Sequence, residues 1–171
     1  MRRPTREEAA AYYFTYIDQV RGDDLLAELE SQEAEVARLL GGISEERSLH
    51  RYQADKWSIR ELLGHVNDCE RLFAFRALWF ARGFDTPLPS FDQAVATAHA
   101  GSDGRSWEGH VGEFRALRAA TLALLRGLPE EAWERTGVAS GYPFTVRALA
   151  FVIAGHAAHH VRVLNERYLA G

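Results

Sequence analysis

The stretch Trp57-Ser58-Ile59-Arg60-Glu61-Leu62-Leu63-Gly64-His65-Val66-Asn67-Asp68-Cys69 decides the fold. Ser58 followed three residues later by Glu61 is a capping box, and Trp57 ahead of it can act as a hydrophobic staple, so the spacing predicts a helix start here. Beyond it Ile59, Leu62, Leu63, Val66, Cys69, Phe73, Ala77 and Phe80 recur at helical spacing to about Arg82, where Gly83 stops the pattern. A long helix with one apolar stripe must bury that stripe, and other helices are the simplest cover.

Working outward, the same pattern recurs. Thr5 with Glu8 reads as a capping box opening a short first segment that holds Tyr12, Tyr13, Phe14, Tyr16 and Ile17 and stops near Gly22. Asp23 is placed to cap a second helix carrying Leu25, Leu26, Leu29, Val36, Leu39 and Leu40, which Gly41-Gly42 ends. Residues 43–56 are polar and irregular. Residues 84–104 form the longest connection, either a functional lid or a crossover. Further helices are expected from about Arg105 to Arg126 and from about Thr145 to Tyr168, joined by a polar connection over 127–144. No segment alternates with period two over a useful length, so no sheet is expected. The expectation is one all-α domain over 1–171, a four-helix bundle with a long crossover connection.

Composition narrows the function classes. The chain has 171 residues, enough for a real core, with 47% hydrophobic and 26% charged residues. Its formal charge is 20 − 24 = −4 and it has no basic cluster, which argues against a general nucleic-acid binder. One cysteine, Cys69, allows no intrachain disulfide and fits a reducing compartment. No stretch approaches the ~20 apolar residues of a membrane helix. The charged start lacks the apolar run of a signal peptide, so a cytoplasmic protein is expected. A phosphate-binding loop, a Gly-x-Ser-x-Gly elbow, a Cys-x-x-Cys pair and the paired Glu-x-x-His of di-iron bundles are all missing from the sequence.

Histidine placement carries the chemistry. His156 and His160 are four apart, so they stand one above the other on a helix face that also carries Leu149, Ile153 and Leu164. His-x-x-x-His is a familiar metal spacing, yet a core histidine with a satisfied hydrogen bond is an equally simple account of either ring. His65 lies at the edge of the apolar face of the helix after Ser58. If the two helices pack side by side, three imidazoles converge and leave coordination positions open, as catalytic metal sites do. Asp68, one turn after His65, is a candidate to orient a ligand or accept a proton, whereas Glu70 reads as a solvated or salt-bridged helix residue. Cys69 could pair with His65 but reads better as a small buried hydrophobe. Tyr12, Tyr13 and Tyr16 either cover the bundle mouth or cap the core. His159 points away from the pair, and His50, His99 and His110 read as surface residues.

The run from Lys56 to Glu70 resembles the signature of the DinB-like (DinB/YfiT) superfamily, and so does Gly155-His156-Ala157-Ala158-His159-His160-Val161. The tracts Phe75-Arg76-Ala77-Leu78 and Leu128-Pro129-Glu130-Glu131-Ala132-Trp133 also fit, so the resemblance runs from about Tyr12 to Tyr168. It implies a four-helix bundle, often a homodimer, holding one divalent ion, usually Zn²⁺ or Ni²⁺, on His65, His156 and His160. Asp68 matches a carboxylate often seen in the helix-two motif. The resemblance implies a small-molecule substrate but no single reaction. A thiol S-transferase joining a low-molecular-weight thiol to an electrophile is the first expectation, with Asp68 or Tyr16 orienting ligand or substrate. The alternatives are a metal-dependent hydrolase using bound water, or a non-enzymatic, stress-related metal-binding bundle.

Overall fold

Four long helices account for most of the fold of this chain, whose computed structural model describes residues 2–170. Six helices follow one another: α1 (Phe14–Ile17), α2 (Leu25–Gly41), α3 (Ile59–Ala81), α4 (Gln93–Ala100), α5 (Trp107–Arg126) and α6 (Val146–Val163). A two-stranded antiparallel hairpin, β1 (Thr136–Ala139) and β2 (Tyr142–Thr145), precedes α6. In the bundle α3 packs on α5 and α6, α2 on α5 and α6, and α1 lies across α6.

The start of α3 is where local sequence and tertiary structure meet. Ser58 Oγ accepts from the Glu61 N–H at 3.0 Å, and Glu61 Oε2 accepts from the Ser58 N–H at 2.8 Å, which closes the capping box. Ser58 Oγ also donates to Asp103 Oδ1, and Arg51 bridges Glu61 and Asp103. The crossover between α3 and α5 is thereby tied to the end of α3 from which His65 projects. Gly64 allows that approach, since a Cβ there would stand 2.6 Å from Ser102 Oγ.

The core forms two clusters. One gathers Ile17, Leu25, Leu29, Phe73, Phe80, Leu149 and Phe151; the other gathers Val36, Leu40, Leu62, Val66, Phe114 and Leu164. Each such side chain contributes roughly 1.5–3 kcal/mol by leaving water. Along α3 the boundary falls between Val66 and Cys69, and along α6 between Ala154 and Ala157. His65 and His156 sit at that boundary.

Several local expectations are corrected. The expected absence of a sheet fails at the hairpin, which turns on Ser140 (φ 55°) and Gly141 (φ 80°), both left-handed. The crossover is not structureless: Asp92 caps α4 through Ala94 and Val95, and left-handed Gly101 ends it. Asp24, not Asp23, caps α2, accepting from Leu26 and Ala27. Thr5 and Glu8 form a turn without opening a helix; the Glu8 carboxylate is drawn into the protein by Arg147 and Thr145, and the first α-helical residues begin only at Phe14.

Candidate metal centre

Two helix starts and one glycine fix the positions of the histidines. Thr145 caps α6 by accepting from the Ala148 N–H at 3.0 Å, which sets the register that turns His156 inward. A Cβ on Gly155 would stand 2.1 Å from the Tyr16 carbonyl oxygen, so only glycine lets α1 lie this close to α6. The close approach sets the Tyr16 ring 5.3 Å from the His156 ring.

His65 and His156 are buried, and His160 is half-buried. Nε2 of His156 lies 3.1 Å from Nε2 of His65 and 3.2 Å from Nε2 of His160. A neutral imidazole carries one N–H and one bare nitrogen, so at most one of these two contacts is a well-formed hydrogen bond. Nδ1 of His160 is buried without a partner among the described residues. Burial holds the His65 ring down at about 4, with a smaller push from His159, and holds His160 at about 3, with pushes from His65 and His159. His156 is lowered as well, first by burial and then by the neighbouring rings. All three are therefore neutral near pH 7, the form in which imidazole ligates.

The donor set fits a divalent ion. Tetrahedral ligation at the usual ~2.0–2.1 Å places ligand atoms about 3.3 Å apart, close to the 3.1 and 3.2 Å that separate Nε2 of His156 from Nε2 of His65 and of His160. Cys69, read from sequence as a small hydrophobe, completes the group that could hold an ion among the described residues: His65, Cys69 and His156 each offer a ligand atom, all within 4.8 Å of one another, while His160 reaches that group through His156. Sγ of Cys69 lies 3.7 Å from both ring nitrogens of His65, and burial pushes the thiol up to about 12. In the absence of a metal Cys69 is a neutral thiol. The spacing of His65 and Cys69, one turn apart, was visible in the sequence, as was the meeting of His65 with His156; that His156 also comes within reach of the Cys69 thiol depends on how α3 and α6 pack.

Around the cluster the walls are aromatic. The Trp57 ring sits 5.0 Å from His65 and the Phe73 ring 5.8 Å from His156. A cavity of about 310 Å³ opens on the site, lined by Tyr12, Tyr13, Tyr16, Phe73, Arg76 and, at the metal-site end, Cys69 and His156. The three tyrosines line this cavity, and Tyr13 and Tyr16 also pack against the core. The Tyr16 hydroxyl is 2.9 Å from that of Tyr12, and burial, with that contact, raises its pKa, so the phenol stays protonated.

The remaining residues singled out from sequence are placed elsewhere. Asp68 is half-buried, with Arg71 Nη1 at 3.5 Å; burial and Glu113 raise its pKa against the pull of Arg71, and it makes no hydrogen bond to any imidazole. Glu70 is a buried ion-pair partner of Arg118. His159 meets Gln19 and Arg162 at the rim. His110 corrects the surface reading: it is fully buried, its Nε2 2.9 Å from the Ser102 carbonyl, because the crossover folds back over α5. Arg76 was missed as a site residue. Its signal lay in the stripe His65, Cys69, Phe73, Arg76, spaced at three and four residues along one helix face.

The family model of the DinB superfamily matches residues 28–164, and the chain belongs to that superfamily. No curated protein matches it at a significant level. Among solved structures it is similar to YfiT from Bacillus subtilis, described as a probable metal-dependent hydrolase with an unusual four-helix bundle topology. The TM-score is 0.75 at 16% identity, over 98% of this chain and 91% of that one, a likeness of fold.

Proposed function

We propose that this member of the DinB superfamily is a divalent-metal-dependent enzyme that hydrolyses a small molecule, with the metal held by His65, His156 and His160. The observation that carries the reading is the convergence of two neutral imidazoles, His65 and His160, on the neutral ring of His156, at the end of an aromatic-lined cavity. Bound there, Zn²⁺ or Ni²⁺ supplies Lewis acidity at its open positions and lowers the pKa of water near neutrality. The protein supplies the rest. Trp57 and Phe73 keep the ligand rings in an apolar setting, which holds them neutral. Tyr16, protonated and paired with Tyr12, presents a hydroxyl that can donate to a substrate oxygen entering the cavity. Asp68 makes no contact with the rings, so the reading gives it no chemical step. The YfiT likeness favours hydrolysis over thiol transfer, and no residue of the cavity argues for a thiol cosubstrate.

Turnover of a panel of aryl esters and amides tests this. The metal-loaded protein should hydrolyse at least one without added thiol, lose the activity on chelation and regain it on adding Zn²⁺ or Ni²⁺. His156→Ala/His160→Ala should remain inactive throughout. Turnover only with an added thiol would replace hydrolysis by thiol transfer. Metal binding with no turnover of any kind would leave a binding bundle.

A further inference from the structure

Four arginines are buried among the described residues: Arg60, Arg76, Arg118 and Arg147. Three of them have a glutamate partner. Arg60 meets Glu45 at 2.5 Å, Arg118 meets Glu70 at 2.8 Å and Arg147 meets Glu8 at 3.0 Å. Arg76, only 2% exposed, has no carboxylate partner among the described residues. Its Nη2 donates to the Pro89 carbonyl at 2.8 Å and to Ser140 Oγ at 3.0 Å. Its Nε has no acceptor, and its further polar neighbour is the Tyr13 hydroxyl, a neutral group. A buried cation without a counter-charge is costly, and proteins rarely leave one so unless something else supplies the charge.

Its position says what that something is. Arg76 lines the same cavity as His156, and Phe73 stands between them, 6.0 Å from the guanidinium and 5.8 Å from the imidazole. The cavity holds one other charged residue, Asp92, whose Oδ1 is occupied in capping α4. That cap takes the Ala94 and Val95 N–H groups of α4, which withdraws two of this helix's free donors from any anion in the cavity. One cation, aromatic walls and no second arginine or lysine in the lining suit a single negative charge on an apolar body.

We infer that Arg76 anchors a carboxylate, and that the molecule taken by the metal centre is a small organic acid with its carboxylate on Arg76 and its reacting group toward His156. This rests on the hydrolytic reading for the reacting end but not for the anion site, which the metal-free protein should also show. Arg76 is then a specificity-determining residue.

Calorimetric titration with acetate, benzoate and phenylacetate, each beside its neutral amide, tests the inference on metal-free and Zn²⁺-loaded protein. At least one acid should bind the metal-free protein roughly tenfold or more tighter than its amide, the scale of a charge-assisted hydrogen bond. Arg76→Gln should lose that preference while keeping its metal, Arg76→Lys should recover part of it, and Arg115→Gln, an exposed arginine on α5, should keep it in full. Equal binding of every acid and its amide by the wild type would overturn the inference, even if the Arg76 variants failed to fold. So would an acid preference that survives in Arg76→Gln, or one seen only with metal present, which would place the carboxylate on the ion. An Arg76-dependent preference in a protein that takes up no metal would uphold the anion site and sink the hydrolytic reading instead.

Discussion

Two of the buried polar centres of this bundle are built on opposite principles. In the first, Arg118 of α5 donates through Nε and Nη2 to Glu70 of α3 at 2.8 and 3.0 Å, and through Nη1 to the Leu29 carbonyl and Gln32 of α2 at 3.2 and 2.8 Å. Gln32 then donates to the Ala154 carbonyl of α6 at 2.9 Å. All four long helices are joined, and no polar side-chain atom of Arg118, Glu70 or Gln32 is left without a partner. In the second, His65 and His160 each turn Nε2 on Nε2 of His156, and His160 Nδ1 has no partner among the described residues. A complete network holds helices together. An incomplete one, only two residues along α6 from the carbonyl that Gln32 holds, leaves nitrogen atoms open to the metal ion proposed here.

The contrast can be broken most forcefully at Arg118. Arg118→Leu strands the Glu70 carboxylate in the core and should cost about 3–5 kcal/mol of stability, read as a lower denaturant midpoint with metal present or absent. The histidine centre should behave in the reverse way. Adding Zn²⁺ or Ni²⁺ at a hundredfold excess over its Kd should stabilise the wild type by about 2.7 kcal/mol, and His156→Ala/His160→Ala should show no such gain in thermal melts. Equal responses to metal in both proteins would erase the distinction.

The pH response sharpens the comparison. His65 and His160 have folded-state values of about 4 and about 3 against an ordinary 6.5, so the unfolded chain takes up more protons as pH falls through that window. Metal-free wild type should therefore lose stability progressively below about pH 6.5, while above it these groups contribute no slope. Denaturant midpoints at several pH values, compared with a His65→Gln/His160→Gln variant, isolate the effect; identical slopes would contradict it. The smallest effect is expected at Asp68. Its ion pair with Arg71 is partly exposed, so Asp68→Asn should move stability by less than about 1 kcal/mol and leave the metal content unchanged. Loss of metal in that variant would restore Asp68 to the site.

What the sequence disclosed follows the range of the forces involved. The α3 capping box and the apolar stripes of α3 and α6 are local patterns, and the helices, the bundle and the inward turn of His156 follow from them. The hairpin was hidden because its strands are four residues each and only Ala139, Phe144 and Thr145 are buried, leaving no period to detect. Its Ser140-Gly141 turn was the one available sign. Helix α4 was hidden for a related reason: only Thr97 in it is buried, so it shows no apolar face. The pairing of Glu70 with Arg118, the burial of His110 and the lack of a carboxylate beside Arg76 among the described residues depend on which elements lie side by side, and no local spacing encodes that.

The most direct test of the account is the metal content of the purified chain. Elemental analysis after exposure to Zn²⁺ or Ni²⁺ and removal of the excess should find about one ion per chain in the wild type and almost none in His156→Ala/His160→Ala. No uptake by either protein, or equal uptake by both, would contradict the assignment of the metal to these histidines.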